Sequence, residues 1–348
     1  MTALERVWYG ESLAARLGRA ALWPAAVGYE AAVRVRGALY DRHLLAAIDT
    51  SIPVLAVGNV SVGGTGKTPV AAWAVARLRE RGANPAVVLR DYGDDEPRVH
   101  ELLNPGTIVV CDADRVRGAR TAHAAGADCV VLDDAFQHRR LKRTSDWVLV
   151  SAERFASATR LLPAGPLREP PAALARADVA IVTRKSASPA LAVTVAERIV
   201  AERQLGVAIV HLAPSALVDA RDGTPRALET LRDVRVVAVA AIGEPEAFFA
   251  QLRALGARDP HGVSYRDHHA FTETDVAHLV RAAASADVVV CTLKDAVKLA
   301  PQWPAATVPL WYVSQRAEFE RGAALLDASL ALVLAARASS SSTAGAAG

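Results

Sequence analysis

Val54-Leu55-Ala56-Val57-Gly58-Asn59-Val60-Ser61-Val62-Gly63-Gly64-Thr65-Gly66-Lys67-Thr68-Pro69 is the stretch that decides the fold. The apolar run 54–57 reads as a buried strand, 58–66 as a glycine-rich turn, and the sequence from about 68 to 81 as a helix. Pro69 suits a first helical turn, where its missing N–H is no loss. A glycine-rich turn between a strand and a helix is a phosphate cradle, because backbone N–H groups and the helix N-terminus both face an anion. Gly63, Gly64, Thr65 and Gly66 let the main chain come close, Lys67 brings a mobile cation to β and γ phosphates, and Thr68 offers a hydroxyl to magnesium. The strict G-x-x-x-x-G-K-[ST] spacing is not met, since Ser61 holds the first glycine position; Gly63 and Gly64 are the candidates to compensate.

Outward from this loop, apolar strands are expected at 86–89, 107–110, 129–132, 147–150 and 179–182, with helical stretches such as 115–125 and 174–177 between them. Such alternation calls for a parallel sheet covered on both faces. Residues 211–231, with Pro214, the Asp222-Gly223 turn and Pro225, read as a connection holding a short hairpin. Beyond it, strands at 234–240, 287–292 and 308–313 and helices at 245–255 and 273–284 form a second, smaller unit. The fold class is therefore α/β: a P-loop NTPase-type parallel sheet with helices on both faces, plus a second smaller α/β domain. The expected divisions are an amphipathic segment at 1–45, a P-loop domain at 46–214, a linker at 215–232, a second α/β domain at 233–338 and a coreless, disordered tail at 339–348.

Among the 348 residues, 40 basic side chains nearly balance 37 acidic ones, so bulk charge asks for no nucleic-acid partner. Cys111, Cys129 and Cys291 lack C-x-x-C spacing, which argues against zinc and a disulfide framework and fits a reducing cytosol. Charges at Arg16, Arg19, Glu30, Arg34 and Arg36 interrupt every early apolar run before the roughly 18 residues a spanning helix needs. The stretch 12–45 mixes Leu13, Leu17, Trp23, Val27, Tyr29 and Val35 with those arginines, as an interfacial helix does and as an ordinary surface helix also can.

A carboxylate pair, Asp133-Asp134, follows the strand at 129–132, where folds of this type keep an acidic group near the metal. Together with Thr68, these are the magnesium candidates, Asp133 first. Several further pieces then resemble one family, the tetraacyldisaccharide 4'-kinases, also called lipid A 4'-kinases. They are the loop itself, Asp95-Glu96-Pro97, Asp133-Asp134-Ala135-Phe136-Gln137-His138, Leu162-Pro163-Ala164-Gly165-Pro166-Leu167-Arg168-Glu169-Pro170, Gly243 with Pro245 and Phe248-Phe249, Asp267-His268-His269, and Thr292 with Lys294-Asp295-Ala296-Val297-Lys298. Their order and spacing, over nearly the whole chain, carry the resemblance.

The resemblance implies transfer of the ATP γ-phosphate, with Mg2+, to the 4'-hydroxyl of an acylated glucosamine disaccharide 1-phosphate. The reaction is expected at the cytosolic face of an inner membrane, with the protein held there peripherally. It also implies a dyad in which His268 meets the attacking hydroxyl while Asp95 orients the imidazole. Asp95 is expected in the first domain and His268 in the second, so that closure would assemble the site. From residue chemistry alone, both are equally well solvated loop residues. Arg90, Arg115 and Arg168 stand where guanidinium forks could hold phosphates, and His138 where it could orient a sugar hydroxyl. The chain departs from the family pattern at Asp91, at Ala135 in place of glycine, at Leu293, and in a shortened loop before Asp95. An alternative from another class is a nucleotide-switched GTPase-type binding protein or metallochaperone, for which the loop alone would suffice. Thr292-Leu293-Lys294-Asp295 superficially resembles a base-reading motif, with its lysine one position late.

Overall fold

The computed structural model describes residues 3–90, 95–155, 158–243 and 245–345. The chain divides into two compact units, the larger holding residues 3–90, 100–212 and 317–345 and the smaller 95–99 and 213–316. The expected departure at Asp91 lies outside the described residues.

Helices α1 (Ala3–Tyr9) and α2 (Leu13–Asp41) open the larger unit, and Ser12 caps α2 by accepting from the Ala15 N–H at 3.2 Å. Then come β1 (Val54–Asn59), α3 (Lys67–Glu80), β2 (Pro85–Leu89), α4 (Asp95–Leu103), β3 (Ile108–Cys111), α5 (Arg115–Ala124), β4 (Cys129–Asp133) and β5 (Ser145–Ser151). A 3-10 turn at Pro171–Arg176 precedes β6 (Val179–Arg184), α6 (Pro189–Arg203) and β7 (Gly206–Asp219). The strand order is β7-β6-β5-β1-β4-β2-β3 and each pairing is parallel, as the alternating pattern predicts. Val57 is level with Asp133 on one side and Trp147 on the other, so the loop after β1 and the acidic pair after β4 leave the same end of the sheet. Ligands in open parallel sheets bind at that carboxyl end.

Three apolar clusters pack this sheet: one under α3 (Leu55, Val57, Val75, Leu78), one along β5 and β6 with α6, and one along β4 with α5. Leu326, Leu330 and Val333, spaced at one helical face, bring the last helix into the first of these clusters.

The smaller unit begins in the second half of β7 and forms the hairpin expected at Asp222-Gly223, with β8 (Pro225–Arg226) antiparallel to β7 and Gly223 at φ 75°. It continues with β9 (Arg235–Ala240), α7 (Pro245–Ala254), β10 (Arg258–Ser264), α8 (Glu273–Ala282), β11 (Val288–Thr292), α9 (Leu293–Leu299) and β12 (Leu310–Arg321). Its strands run parallel in the order β10-β9-β11-β12. The chain closes with α10 (Ala323–Gly345), which extends over most of the stretch read from composition as a coreless tail.

The stretch 211–219 is strand, where the sequence predicts a connection; Leu212 and Leu217 are fully buried, and that burial outweighs the turn signal of Pro214. Asp95 groups with His268 in the smaller unit, not with the phosphate loop. In that unit Asp95 finds its cationic partners, His268 and Lys298.

Candidate active site

The phosphate loop is held from below and behind. Asn59, fully buried, donates through Nδ2 to Thr65 Oγ1 at 2.9 Å, and Thr183 donates to the Thr65 carbonyl at 2.8 Å. Lys185 Nζ donates to the Gly64 carbonyl at 2.9 Å and Gln137 Nε2 to the Asn59 carbonyl at 2.8 Å. Gly66 caps α3 in the left-handed region, φ 83°, which L-residues occupy only at a cost. Gly58 lies so close to Phe136 that a Cβ would meet the Phe136 nitrogen at 2.4 Å.

Lys67, the first residue of α3, lies 3.5 Å from Asp134 Oδ1. Arg168 reaches both Asp134 oxygens from one guanidinium nitrogen, at 2.8 and 2.9 Å. Burial pushes the Asp134 carboxyl up, but Lys67 and Arg168 outweigh it and hold the group below the usual carboxylate range. Asp134 takes a positive φ of 55°, an unusual backbone for a non-glycine residue. Two cations, Lys67 and Arg168, therefore share the Asp134 carboxylate beside the first residue of α3.

Asp133, 3% exposed, ends β4 and meets His100 Nε2 at 3.0 Å. Thr68, 8% exposed, sits in the first turn of α3. A hydroxyl and carboxylates are hard oxygen donors of the kind magnesium takes, usually alongside phosphate oxygens and water. Among the described residues no set of three or more His, Cys, Asp or Glu side chains is arranged to hold a metal ion, so a cation here would draw the rest of its shell from the nucleotide and solvent.

Arg115 opens α5 and is only 2% exposed, yet among the described residues its Nε and Nη2 have no hydrogen-bond partner. Burial lowers its pKa, and Asp134 and Asp133 oppose that. His138, half-buried, is pushed down to about 4 by burial and by Arg115, Arg90, Arg143 and Arg36. Arg90, Arg115 and His138 thus share one positive field beside the acidic pair, and a neutral imidazole stands within it. Arg143 and Arg36 are members that the motifs did not single out; only the fold reveals them.

Ala135, which replaces the family's glycine, is fully buried, and its methyl packs into the cluster along β4 and α5. The substitution is absorbed by the core and does not project from the loop.

In the smaller unit, His268 Nδ1 lies 3.5 Å from Asp95 Oδ2, and Lys298 Nζ lies 3.6 Å from the same oxygen. Burial raises the Asp95 pKa, but His268, Lys298 and Lys294 prevail and bring it to about 2. The Asp95 hydrogen bond raises His268 above its ordinary value against the effect of its own partial burial. His268 has φ 58°, and its N–H donates to the Ala241 carbonyl at 3.3 Å. The Ala241 N–H in turn donates to Asp295 Oδ2 at 3.1 Å, and Thr292 Oγ1 to the same oxygen at 2.7 Å. Asp295, fully buried, therefore pins Ala241, just past the end of β9, which accepts the His268 main-chain N–H. That role accounts for the late Thr-x-Lys-Asp piece without any base reading. Lys294 pairs with Glu96 at 2.8 Å, and Leu293 simply starts α9.

The sequence model of the tetraacyldisaccharide-1-P 4'-kinase family, LpxK, matches residues 18–333. A tetraacyldisaccharide 4'-kinase of Anaeromyxobacter dehalogenans strain 2CP-C is 40% identical, covering 95% of each chain. One from Geobacter sulfurreducens is 37% identical over 82% of this chain and 86% of its own. The crystal structure of LpxK from Aquifex aeolicus in complex with ATP superposes with a TM-score of 0.70 at 24% identity, over 91% of this chain and 99% of the other, a likeness of fold.

Proposed function

The chain belongs to the tetraacyldisaccharide-1-P 4'-kinase family, and from that premise we propose how its residues divide the transfer of the ATP γ-phosphoryl group to the 4'-hydroxyl of an acylated glucosamine disaccharide 1-phosphate. Family membership decides against a nucleotide-switched GTPase-type protein or a metallochaperone.

Phosphoryl transfer asks a protein mainly for positioning and for neutralising charge on the γ-phosphate. The amides of Gly63, Gly64, Thr65 and Gly66 bind the phosphate chain, and Lys67 follows the charge toward the γ-phosphate. Phosphate oxygens replace Asp134 as the partner of Lys67 and Arg168. Thr68, Asp133 and Asp134 would hold magnesium, which when bound would supply charge neutralisation at the phosphates. At the acceptor, His268 takes the proton of the 4'-hydroxyl on Nε2 while Asp95 accepts from Nδ1–H and stabilises the imidazolium. Arg90 and Arg115 hold phosphate oxygens of the acceptor, and His138, neutral at pH 7, orients a sugar hydroxyl.

The membrane reading is supported by α2. Leu13, Leu17, Trp23, Val27 and Val35 are 45 to 71% exposed, and at about 100° per residue they fall within about a third of the helix circumference. No helix of the described residues is long and apolar enough to cross a membrane. We infer peripheral attachment through this stripe at the cytoplasmic face of the inner membrane, with the arginines of α2 facing anionic headgroups.

The observation that most supports the division of roles is the Asp95–His268 pair at 3.5 Å, since a paired, electrostatically biased histidine is what an acceptor hydroxyl needs. The test is mass analysis of lipid products from purified protein, ATP, magnesium and detergent-dispersed acylated disaccharide 1-phosphate. A bisphosphorylated product is expected. Its absence while ATP still binds would sink the proposal.

A further inference from the structure

We propose that His100 is a positioning residue that holds one oxygen of Asp133 so that the other is presented to the cation travelling with the nucleotide. This inference rests on the kinase reading above and adds a residue that no motif marks. His100 lies on α4, is fully buried, and has its Nε2 3.0 Å from Asp133 Oδ2.

The geometry assigns the tautomer. His100 Nδ1 is buried and has no hydrogen-bond partner among the described residues. With the proton on Nε2, the ring donates to the carboxylate and leaves only a lone pair unmatched. With the proton on Nδ1, an N–H would be buried without an acceptor, and two acceptors would face each other at 3.0 Å. The first arrangement is therefore the one the site holds.

The position also argues for a role beyond packing. Val99 beside it is 2% exposed, so this turn of α4 is lined by core. An aliphatic residue at 100 would pack there without orphaning a buried ring nitrogen, which is costly. What an aliphatic residue could not do is fix the plane of the Asp133 carboxylate. Asp133 is level with Val57, one residue before the phosphate loop begins, and the buried His100 ring is a rigid donor to its Oδ2. Partners of this kind behind a ligating group are worth roughly 10–100-fold in metal affinity.

The test uses the full-length protein with Mn2+ and a non-hydrolysable ATP analogue, without lipid, and reads free Mn2+ by electron paramagnetic resonance. His100→Leu and His100→Asn remove the donor at the Nε2 position, and His100→Gln restores it. We expect the Leu and Asn variants to bind Mn2+ roughly 10-fold or more weakly, with Gln close to wild type. The magnesium concentration giving half-maximal velocity should rise in the same order, while kcat at saturating magnesium recovers. Wild-type Mn2+ affinity in the Leu and Asn variants, or a Gln variant as weak as Asn, overturns the inference. Should the Leu variant fail to fold, the Asn and Gln pair decides. Wild-type turnover of the acylated acceptor, measured alongside, separates the two ideas: a wild type that makes no lipid product sinks the kinase reading, and an active wild type with indifferent variants sinks this one.

Discussion

Tyr29 on α2 donates its phenolic hydrogen to the main-chain carbonyl of Arg168 at 2.9 Å, so the helix with the exposed apolar stripe is tied to the residue that grips Asp134. Arg36 reinforces the tie by donating to the Gln137 carbonyl at 3.0 Å. Tyr29→Phe removes one part-buried hydrogen bond and should lower stability by about 1 kcal/mol in urea titrations. It should also raise KM for the acylated acceptor more than KM for ATP. Equal rises for both substrates would detach α2 from the acceptor side.

The stripe itself can be tested without touching those ties. Leu17 and Val27 are 61% and 45% exposed, so glutamate at both should leave folding intact while repelling an anionic surface. Sedimentation with vesicles containing phosphatidylglycerol should recover several-fold less of the double variant. Unchanged recovery would move membrane attachment elsewhere.

The Asp95–His268 pair makes a signed prediction about pH. His268 is raised above its ordinary 6.5, so a reaction that needs it neutral should have an acidic limb in kcat/KM above pH 6.5. Asp95→Asn removes the hydrogen bond that raises it, and the limb should move to lower pH while turnover drops. In stability, the raised histidine contributes below its unfolded value and loses that contribution as pH rises through its folded value. The depressed Asp95 contributes above its unfolded value, near 3.8, and loses that as pH falls toward about 2. The pair's effect on melting temperature should therefore be greatest between about pH 4 and 6.5. An Asp95→Asn variant that melts with the wild-type pH profile contradicts the pairing.

Lys67→Ala leaves Asp134 with Arg168 alone. Loss of a preorganised cation at a developing charge lowers kcat by roughly 100-fold or more. Asp134→Asn should instead weaken magnesium dependence and leave nucleotide binding in the absence of metal intact or tighter, because it stops competing with phosphate for Lys67 and Arg168. Isothermal titration with ATP in EDTA distinguishes the two variants.

Gly58→Ala places a methyl 2.4 Å from the Phe136 nitrogen. No rotamer change relieves a contact with backbone, and an overpacked core position costs about 1–3 kcal/mol. The strain would fall on both β1 and the acidic-pair loop, so ATP affinity should drop together with stability. A variant with native melting behaviour and native ATP affinity would mean that the two segments are not in close contact.

The larger sheet was legible because its strands are short apolar runs punctuated by glycine-rich turns. The placement of Lys67 and Thr68 at the start of α3 was legible because turn chemistry is local. The place of Asp133 at the end of β4 was legible too, since a carboxylate after a buried strand stands out. Residues whose meaning depends on packing were not legible: His100 reads as an ordinary helix histidine until the fold sets it against Asp133, and Arg143 as one more arginine in an arginine-rich chain. Pro214 misled because a turn-forming residue inside a strand cannot be recognised before its buried neighbours are known. Asp95 was assigned by chain order, whereas its partners are set by charge. Asp295 looked like part of a nucleotide motif, and only the burial of its carboxylate against the Ala241 N–H reveals an anchor.

One contact far from any ligand bears on how the protein is made. Trp147, at the centre of β5 and fully buried, gives its indole hydrogen to Ser329 on α10 at 2.7 Å, and Ser145 meets the same hydroxyl at 2.7 Å. The acceptor that satisfies this indole is encoded 182 residues later. On the ribosome, the nucleotide-binding sheet therefore emerges with an unmatched polar atom in its middle and an open apolar groove beside it, until residue 329 has emerged. A message truncated before Ser329 should yield a product that stays bound to chaperones or is degraded.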